Sequence, residues 1–167
     1  MDGLKVGISG WQRLQSFYPP RTRSADMLAY YSQHFSLVET STTFQGIPNP
    51  GRVREWAESV PSDFTFDVVA FGGLTLHQRR PGASAGEEKS GWEDISVEPP
   101  EVLFDEFKES ISPLAEAGLL GLVILQFPPW FDAGAAGLNY LSRCRSEFGR
   151  LRLGVEFRNE TWLEPAN

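Results

Sequence analysis

LLGLVILQF, residues 119–127, is apolar at every position except Gly121 and Gln126. A strand with one face in water alternates apolar and polar side chains, whereas a strand covered on both faces reads as a continuous apolar run. The stretch therefore reads as a parallel strand with packing on both sides. Parallel neighbours cannot be joined by a tight turn, so the chain on either side must supply crossovers, usually helices.

The flanking sequence has that form. Upstream, Leu103, Phe104, Phe107, Ile111 and Leu114 recur at helical spacing over about 101–117, and Gly118 is a natural stop. Downstream, a helical pattern near Gly137–Phe148 leads to another strand at Leu151–Phe157. Toward the N-terminus, Leu4–Ile8 (LKVGI) reads as a first strand, followed by a helix over Ser24–His34 with Ser24 as N-cap and Asp26 in the first turn. The β-branched Ser36–Thr43 (SLVETSTT) reads as a second strand, Pro48 and Pro50 introduce a helix over Gly51–Ser59, and Phe64–Ala70 (FTFDVVA) alternates as a third strand. Residues 71–100 break the rhythm with Gly72-Gly73, Arg80-Pro81-Gly82 and Pro99-Pro100, and read as a long mobile loop after the third strand. Five strands alternating with four helices specify a parallel α/β protein. An open doubly wound sheet and a (β/α)-barrel both fit, but no G-x-G-x-x-G follows the first strand and there is no Walker A loop.

Side-chain parity favours the barrel. With Val38, Val123, Leu125, Phe127, Val155 and Phe157 packed outward against helices, Glu39, Ser41, Thr43, Gln126, Glu156 and Arg158 point inward. The third strand sends Phe64, Phe66 and Val68 outward and Asp67 and Val69 inward. Every strand but the third thus ends on an inward polar group: Ser9, Glu39 with Ser41, Gln126, and Glu156 with Arg158. Polar groups converging at the C-terminal ends of parallel strands are the material of a barrel active site. Each also has a plain structural reading. Glu156 and Arg158 would form a structural ion pair that only neutralises the barrel mouth, Ser41 and Thr43 satisfy strand-end backbone groups, Gln126 bonds a neighbouring loop, and Trp11, Trp130 and Trp162 pack the loops as lids instead of stacking on a ligand. His77 opens the long loop and precedes Gln78-Arg79-Arg80, a basic cluster suited to a phosphate or carboxylate. Cys144 falls in a helical run and reads as inert.

The 167 residues carry a net charge of −7, with 41% hydrophobic and 13% aromatic residues. That composition supports a core, and the negative field argues against non-specific binding to nucleic acid or anionic membranes. No apolar stretch approaches the roughly 20 residues of a membrane span, and no signal-peptide pattern leads the chain. The single Cys144 excludes a disulfide framework and suits a reducing cytoplasmic setting. Two histidines without H-x-x-x-H or cysteine clusters argue against an intrinsic metal site, and no cofactor is expected.

Several motifs occur together and in order: Gly7-Ile8-Ser9-Gly10-Trp11, Phe17-Tyr18-Pro19, Val38-Glu39-Thr40-Ser41-Thr42-Thr43-Phe44, Gln126-Phe127-Pro128-Pro129 and Val155-Glu156-Phe157-Arg158-Asn159-Glu160-Thr161-Trp162. They resemble the YecE-like family, domain of unknown function 72, over nearly the whole chain. The resemblance implies a TIM barrel similar to that of sugar isomerases and endonuclease-IV-like enzymes, with no established activity. It implies that Glu39, Gln126, Glu156 and Arg158 lie at the barrel mouth and that His77 follows the third strand. Three departures stand out: Val69 occupies the place of a family lysine, Thr43-Phe44-Gln45 replaces Thr-Phe-Tyr, and the segment between Trp11 and Phe17 is short and lacks a second tryptophan.

The functional expectation is a small polar ligand, a sugar or phosphorylated compound, held at the mouth. Glu39 and Glu156 would act as acid and base, with Ser9, Trp11, Ser41, His77, Gln126, Arg158 and Trp162 binding substrate. The alternatives are a non-catalytic or degenerate ligand-binding member, suggested by Val69 and the shortened first loop, and an endonuclease-IV-like nucleic-acid-processing protein, disfavoured by the charge and the paucity of metal ligands. At about 33 residues per strand–helix unit, eight units need roughly 250 residues. The 167 residues hold about five units, a single incomplete (β/α)8 domain over 1–167. The expected architecture is a partial, unclosed barrel: a fragment, a truncated product, or a chain stable only with a complementing chain or as an oligomer.

Overall fold

The structure is a computed structural model and describes residues 4–78 and 96–164. Strands β1 (Gly7–Ser9), β2 (Leu37–Thr40), β3 (Thr65–Val69), β4 (Leu120–Gln126) and β5 (Leu153–Glu156) form one sheet in the order of the sequence. Every neighbouring pair is parallel. A doubly wound sheet reverses its strand order part-way, whereas a barrel adds each strand to the same side of the last. The order seen here is that of a partial α/β barrel.

Helices α1 (Ser24–Tyr31), α2 (Pro50–Glu58), α3 (Glu101–Glu116) and α4 (Ala135–Glu147) make the returns. Their apolar faces bury one side of the sheet. Leu28, Val53, Phe104, Phe107 and Tyr140 share a core with Val38, Phe66, Val68, Val123 and Leu125, all almost fully buried. The other side carries Glu39, Asp67, Ile124 and Gln126, which are only partly buried. The expected division of side chains between faces therefore holds for β2, β3 and β4. Gly118 ends α3 as expected, with φ +71° just past the Ala117 cap, a conformation glycine adopts without penalty.

Other expectations need correction. Ser24 is the first residue of α1 and Arg23 is its cap; Arg23 holds the first-turn Asp26 through Nε and Nη2 at 2.6 and 3.0 Å. β2 stops at Thr40, and Ser41–Phe44 coils into a 3₁₀ turn, so Ser41 and Thr43 are not strand residues. The buried Thr43 hydroxyl sits 2.6 Å from the carbonyls of both Thr40 and Val69, which ties the turn to β3. Nor is the beginning of the 71–100 segment a loose loop. Gly72–Thr75 forms a buried 3₁₀ turn, Leu74 and Leu76 are fully buried, and Tyr140 donates to the Leu74 carbonyl at 2.9 Å. The returning chain is fastened by Ser96, whose hydroxyl donates to the Leu76 carbonyl at 3.0 Å, and by Val97 N–H to the Gln78 carbonyl. Arg79 and Arg80 of the basic cluster lie outside the described residues. At the far edge, Val155 and Phe157, which parity would pack beneath a helix, are 42% and 37% exposed.

The β3–β4 ladder carries a bulge. Phe66 pairs with Leu120 and Val68 with Val123, so Gly121 and Leu122 together face Asp67. The extra residue leaves the Leu122 N–H without a ladder partner, and Asp67 Oδ1 accepts it at 2.9 Å. A Cβ on Gly121 would overlap that carboxylate oxygen. Gly121→Ala is therefore expected to lower the unfolding free energy by about 1–3 kcal/mol through overpacking, read from the denaturant midpoint; an unchanged midpoint would contradict the contact.

Among the described residues, β1 pairs only with β2 and β5 only with β4. Beside these open edges stand exposed apolar side chains, Leu4 at 93% and Val6 at 55% before β1, and Leu163 at 84% after β5. Unpaired edges template further pairing. The 1–167 chain on its own is expected to associate in a concentration-dependent way in sedimentation velocity, and a strictly monomeric species at all concentrations would count against exposed edges.

Candidate functional site

At the C-terminal end of the sheet, β4 and β5 run in register, with Gln126 opposite Glu156. Both side chains lie on the face away from the helices and meet there. Gln126 Nε2 donates to Glu156 Oε1 at 3.0 Å, and Arg158 Nε donates to the same oxygen at 2.8 Å. The Arg158–Glu156 ion pair is about half exposed on both sides, so it orients the carboxylate more than it stabilises the fold. Both donors converge on Oε1. Oε2 has no partner among the described residues.

His77 overlooks this cluster. It follows Leu76, a buried residue held in the left-handed region at φ +64°, which turns the chain sharply after the Gly72–Thr75 turn. Its Nδ1 lies 3.0 Å from the Thr75 hydroxyl, and its ring meets Phe44 edge-on at 4.8 Å and Trp130 at 6.2 Å. Burial pushes the imidazole below the ordinary histidine range, and the nearby Arg158 charge pushes it further, against hydrogen bonds to Thr75 and Gly72. Gln126, Glu156 and Arg158 are thus bonded together, and His77 stands near enough to feel the Arg158 charge.

The remaining expected site residues sit elsewhere. Ser9, Glu39 and Asp67 form one rung across β1, β2 and β3. Glu39 therefore neighbours Asp67, not Glu156, and its charge helps raise the Asp67 carboxyl, which burial already raises. Parity reads Asp67 as inward-facing but gives no sign of this coupling. Trp162 serves the packing. Its ring stacks on Phe157 at 4.2 Å and on Phe131 at 5.4 Å, and its N–H donates to the Phe131 carbonyl at 2.8 Å. Trp130 likewise spends its N–H on the Ser96 hydroxyl at 3.0 Å. Cys144 is fully buried, and burial pushes its thiol up to about 12, as expected of an inert cysteine.

Trp11 and Ser41 instead line a cavity of about 490 Å³ at the C-terminal ends of β1 and β2. Its other walls are Arg13, the Gly46–Asn49 segment, and Arg52 and Trp56 of α2. The sequence pattern does not single out the arginines or Trp56. They lie in a loop and on a helix, where strand parity carries no information. Among the described residues, no group of three or more His, Cys, Asp or Glu side chains could hold a metal ion, and no helix is long and apolar enough to cross a membrane.

A model of a family described as "protein of unknown function DUF72" matches residues 5–167. The chain belongs to the DUF72 family. UPF0759 protein YunF of Bacillus subtilis (strain 168) is 36% identical over 162 residues, covering 97% of this chain and 53% of its own length. A DUF72 crystal structure from Enterococcus faecalis V583 superposes with a TM-score of 0.76 at 28% identity, covering 97% of this chain and 53% of that one. Another, from Thermotoga maritima MSB8, gives a TM-score of 0.73 at 26% identity, with 97% and 58% covered. The chain thus spans about half the length of the curated relative it matches. The motif resemblance and the partial-barrel fold are both borne out, and the family name carries no activity with it.

The environment of His77 has a measurable consequence. Its lowered affinity for protons in the folded state means that the unfolded chain binds more protons near and below about pH 6.5. Stability is then greatest above that pH and falls as the pH drops toward the folded-state value. Urea unfolding at pH 7.5, 6.5 and 5.5 is expected to show this decline, and His77→Asn is expected to flatten it. An equal decline in the variant would place its origin in other groups.

Proposed function

We propose that this DUF72 chain binds a small polar ligand, a sugar or phosphorylated compound, over the C-terminal ends of its strands and acts on it by general acid–base chemistry. The observation that carries the reading is the Glu156 carboxylate, held at Oε1 by Gln126 and Arg158 with Oε2 left to face a ligand. A carboxylate fixed by two donors on one oxygen keeps its second oxygen aimed and able to take or return a proton. Glu39, on the same rung as Asp67 and away from Glu156 along the sheet, offers a second carboxyl group at the rim, with Ser9 beside it. His77 supplies a partly buried imidazole, and its depressed proton affinity keeps it neutral near pH 7, able to accept a hydrogen bond or donate one.

The test begins with thermal-shift screening of sugars, sugar phosphates and nucleotides, followed by turnover assays on each compound that stabilises the chain. Glu156→Gln preserves the size of the side chain and both polar termini but cannot relay a proton. Binding is expected to survive, while turnover falls by about 100-fold or more. Undiminished turnover in Glu156→Gln would overturn the assignment. Stabilisation without turnover in the wild type would instead favour a ligand-binding protein, in keeping with Val69 at the buried end of β3.

A further inference from the structure

The cavity beside β1 and β2 has a chemistry of its own. In a chain with 22 acidic and 15 basic residues, the ionisable side chains in its wall are Arg13 and Arg52, with no carboxylate. Neither guanidinium has an acidic partner among the described residues. Arg13 is folded back against Gly10, whose φ of +79° makes the turn that lets it do so. The Arg52 guanidinium lies 6.0 Å from the Trp56 ring centroid. Two cations on one concavity, with no carboxylate in its wall and Glu55 turned to the adjoining hollow without an ion pair to Arg52, form a local inversion of the protein's field.

The indoles supply a second, independent sign. Trp11 and Trp56 are 6% and 9% exposed and pack edge to face at 5.4 Å. Neither indole N–H has an acceptor among the described residues. Buried tryptophan donors are ordinarily satisfied, and both indoles stand in the wall between this cavity and an adjoining hollow, so a ligand in the cavity can supply the acceptor they lack. The hydroxyls of Ser41 and Thr42 add further donors to the wall. Backbone amides of α2 add little. Asn49 Oδ1 takes the Gly51 N–H at 2.8 Å, and the Asn49 carbonyl takes the Arg52 N–H at 3.0 Å. The donors on offer are therefore side chains, and the cavity is within the ordinary range for a small organic ligand, roughly 300–1,000 Å³.

We infer that this cavity is a binding site for a small phosphate monoester, with the phosphate held between Arg13 and Arg52, its remaining oxygens open to the indole N–H groups, and the organic part lying against the indole rings. Two guanidinium groups balance a phosphate ester that carries about −1.5 to −2 at neutral pH, and each can bond it bidentately. The indoles, Ile47 and Pro48 give the organic part an apolar wall. The site is separate from the Glu156 cluster and does not depend on the acid–base reading of that cluster.

Phenyl phosphate is the probe, titrated calorimetrically and by tryptophan fluorescence into the full chain. The wild type is expected to bind it saturably, with affinity rising between pH 5 and 7 as the ester loses its second proton and falling with added salt. Inorganic phosphate is expected to compete, and phenol is not. Arg13→Gln and Arg52→Gln should each weaken binding by about ten-fold or more, and the double variant should abolish it. Both side chains are exposed, and circular dichroism checks that the variants fold. Arg54→Gln removes the same charge from the same helix outside the cavity and should leave binding unchanged. No saturable binding by the wild type, unaltered binding by the double variant, or an equal loss in Arg54→Gln would overturn the inference.

Discussion

A parallel ladder imposes one direction on all of its strands, and that constraint decides where every polar group of interest ends up. Each strand of this sheet finishes at the same edge, and each return must be made by a separate crossover on the helical side. The loops that follow β1, β2, β3 and β4 therefore gather at one end of the molecule, whatever their sequences. Gly10–Arg13, Ser41–Phe44, Gly72–His77 and Pro128–Phe131 are assembled into one rim by this geometry alone. Ligand sites on parallel α/β folds lie at that rim because side chains from distant parts of the chain can converge only there.

The two faces of the sheet are held by different forces. On the helical side, Val38, Phe66, Val68, Val123 and Leu125 are withdrawn from water against the aromatic faces of α1, α3 and α4, and this burial supplies the main driving force for the fold. The opposite side is organised by hydrogen bonds. Asp67 plugs the β3–β4 bulge by accepting the Leu122 N–H, and Thr43 tethers the β2 turn to the end of β3. The bulge matters for the site as well. Without the extra residue in β4, the alternation from Gly121 onward would be inverted, and Gln126 would face the helices instead of meeting Glu156.

Along the rim, charge is sorted into two neighbourhoods. Beyond β4 and β5, a carboxylate is held by one arginine and one amide with an imidazole nearby. Beyond β1 and β2, two arginines stand over a cavity with no acid in its wall. A cavity wall that holds two arginines and no carboxylate disfavours cationic ligands, while the carboxylates elsewhere on the rim disfavour anions. The strained backbone at Leu76 belongs to the same design. A left-handed, non-glycine residue costs about 1–3 kcal/mol, and here the complete burial of its side chain and the Ser96 bond to its carbonyl hold it in place, which aims His77 over the rim.

Much of this is legible in the sequence alone. The continuous apolar run at 119–127 indicates a parallel strand, and parity correctly separates Val38, Phe66 and Val123 from Glu39, Asp67 and Gln126, because alternation is a property of the extended backbone itself. Parity also puts Glu156 and Gln126 on a common face, and they are bonded to each other. It fails at Ser41 and Thr43, where the backbone leaves the strand for a 3₁₀ turn and alternation no longer applies. It cannot say that Val155 and Phe157 are uncovered, since burial depends on a helix that must pack over them. Nor can it find the cavity of Trp11, Arg13, Arg52 and Trp56, whose members come from a loop and a helix far apart in sequence. By itself the sequence determined the elements, their alternation and the face each side chain takes, because these follow from local backbone geometry and the segregation of apolar groups from water. Only the tertiary structure decided register, the bulge and which polar groups meet, because those depend on how separate strands align when their helices pack.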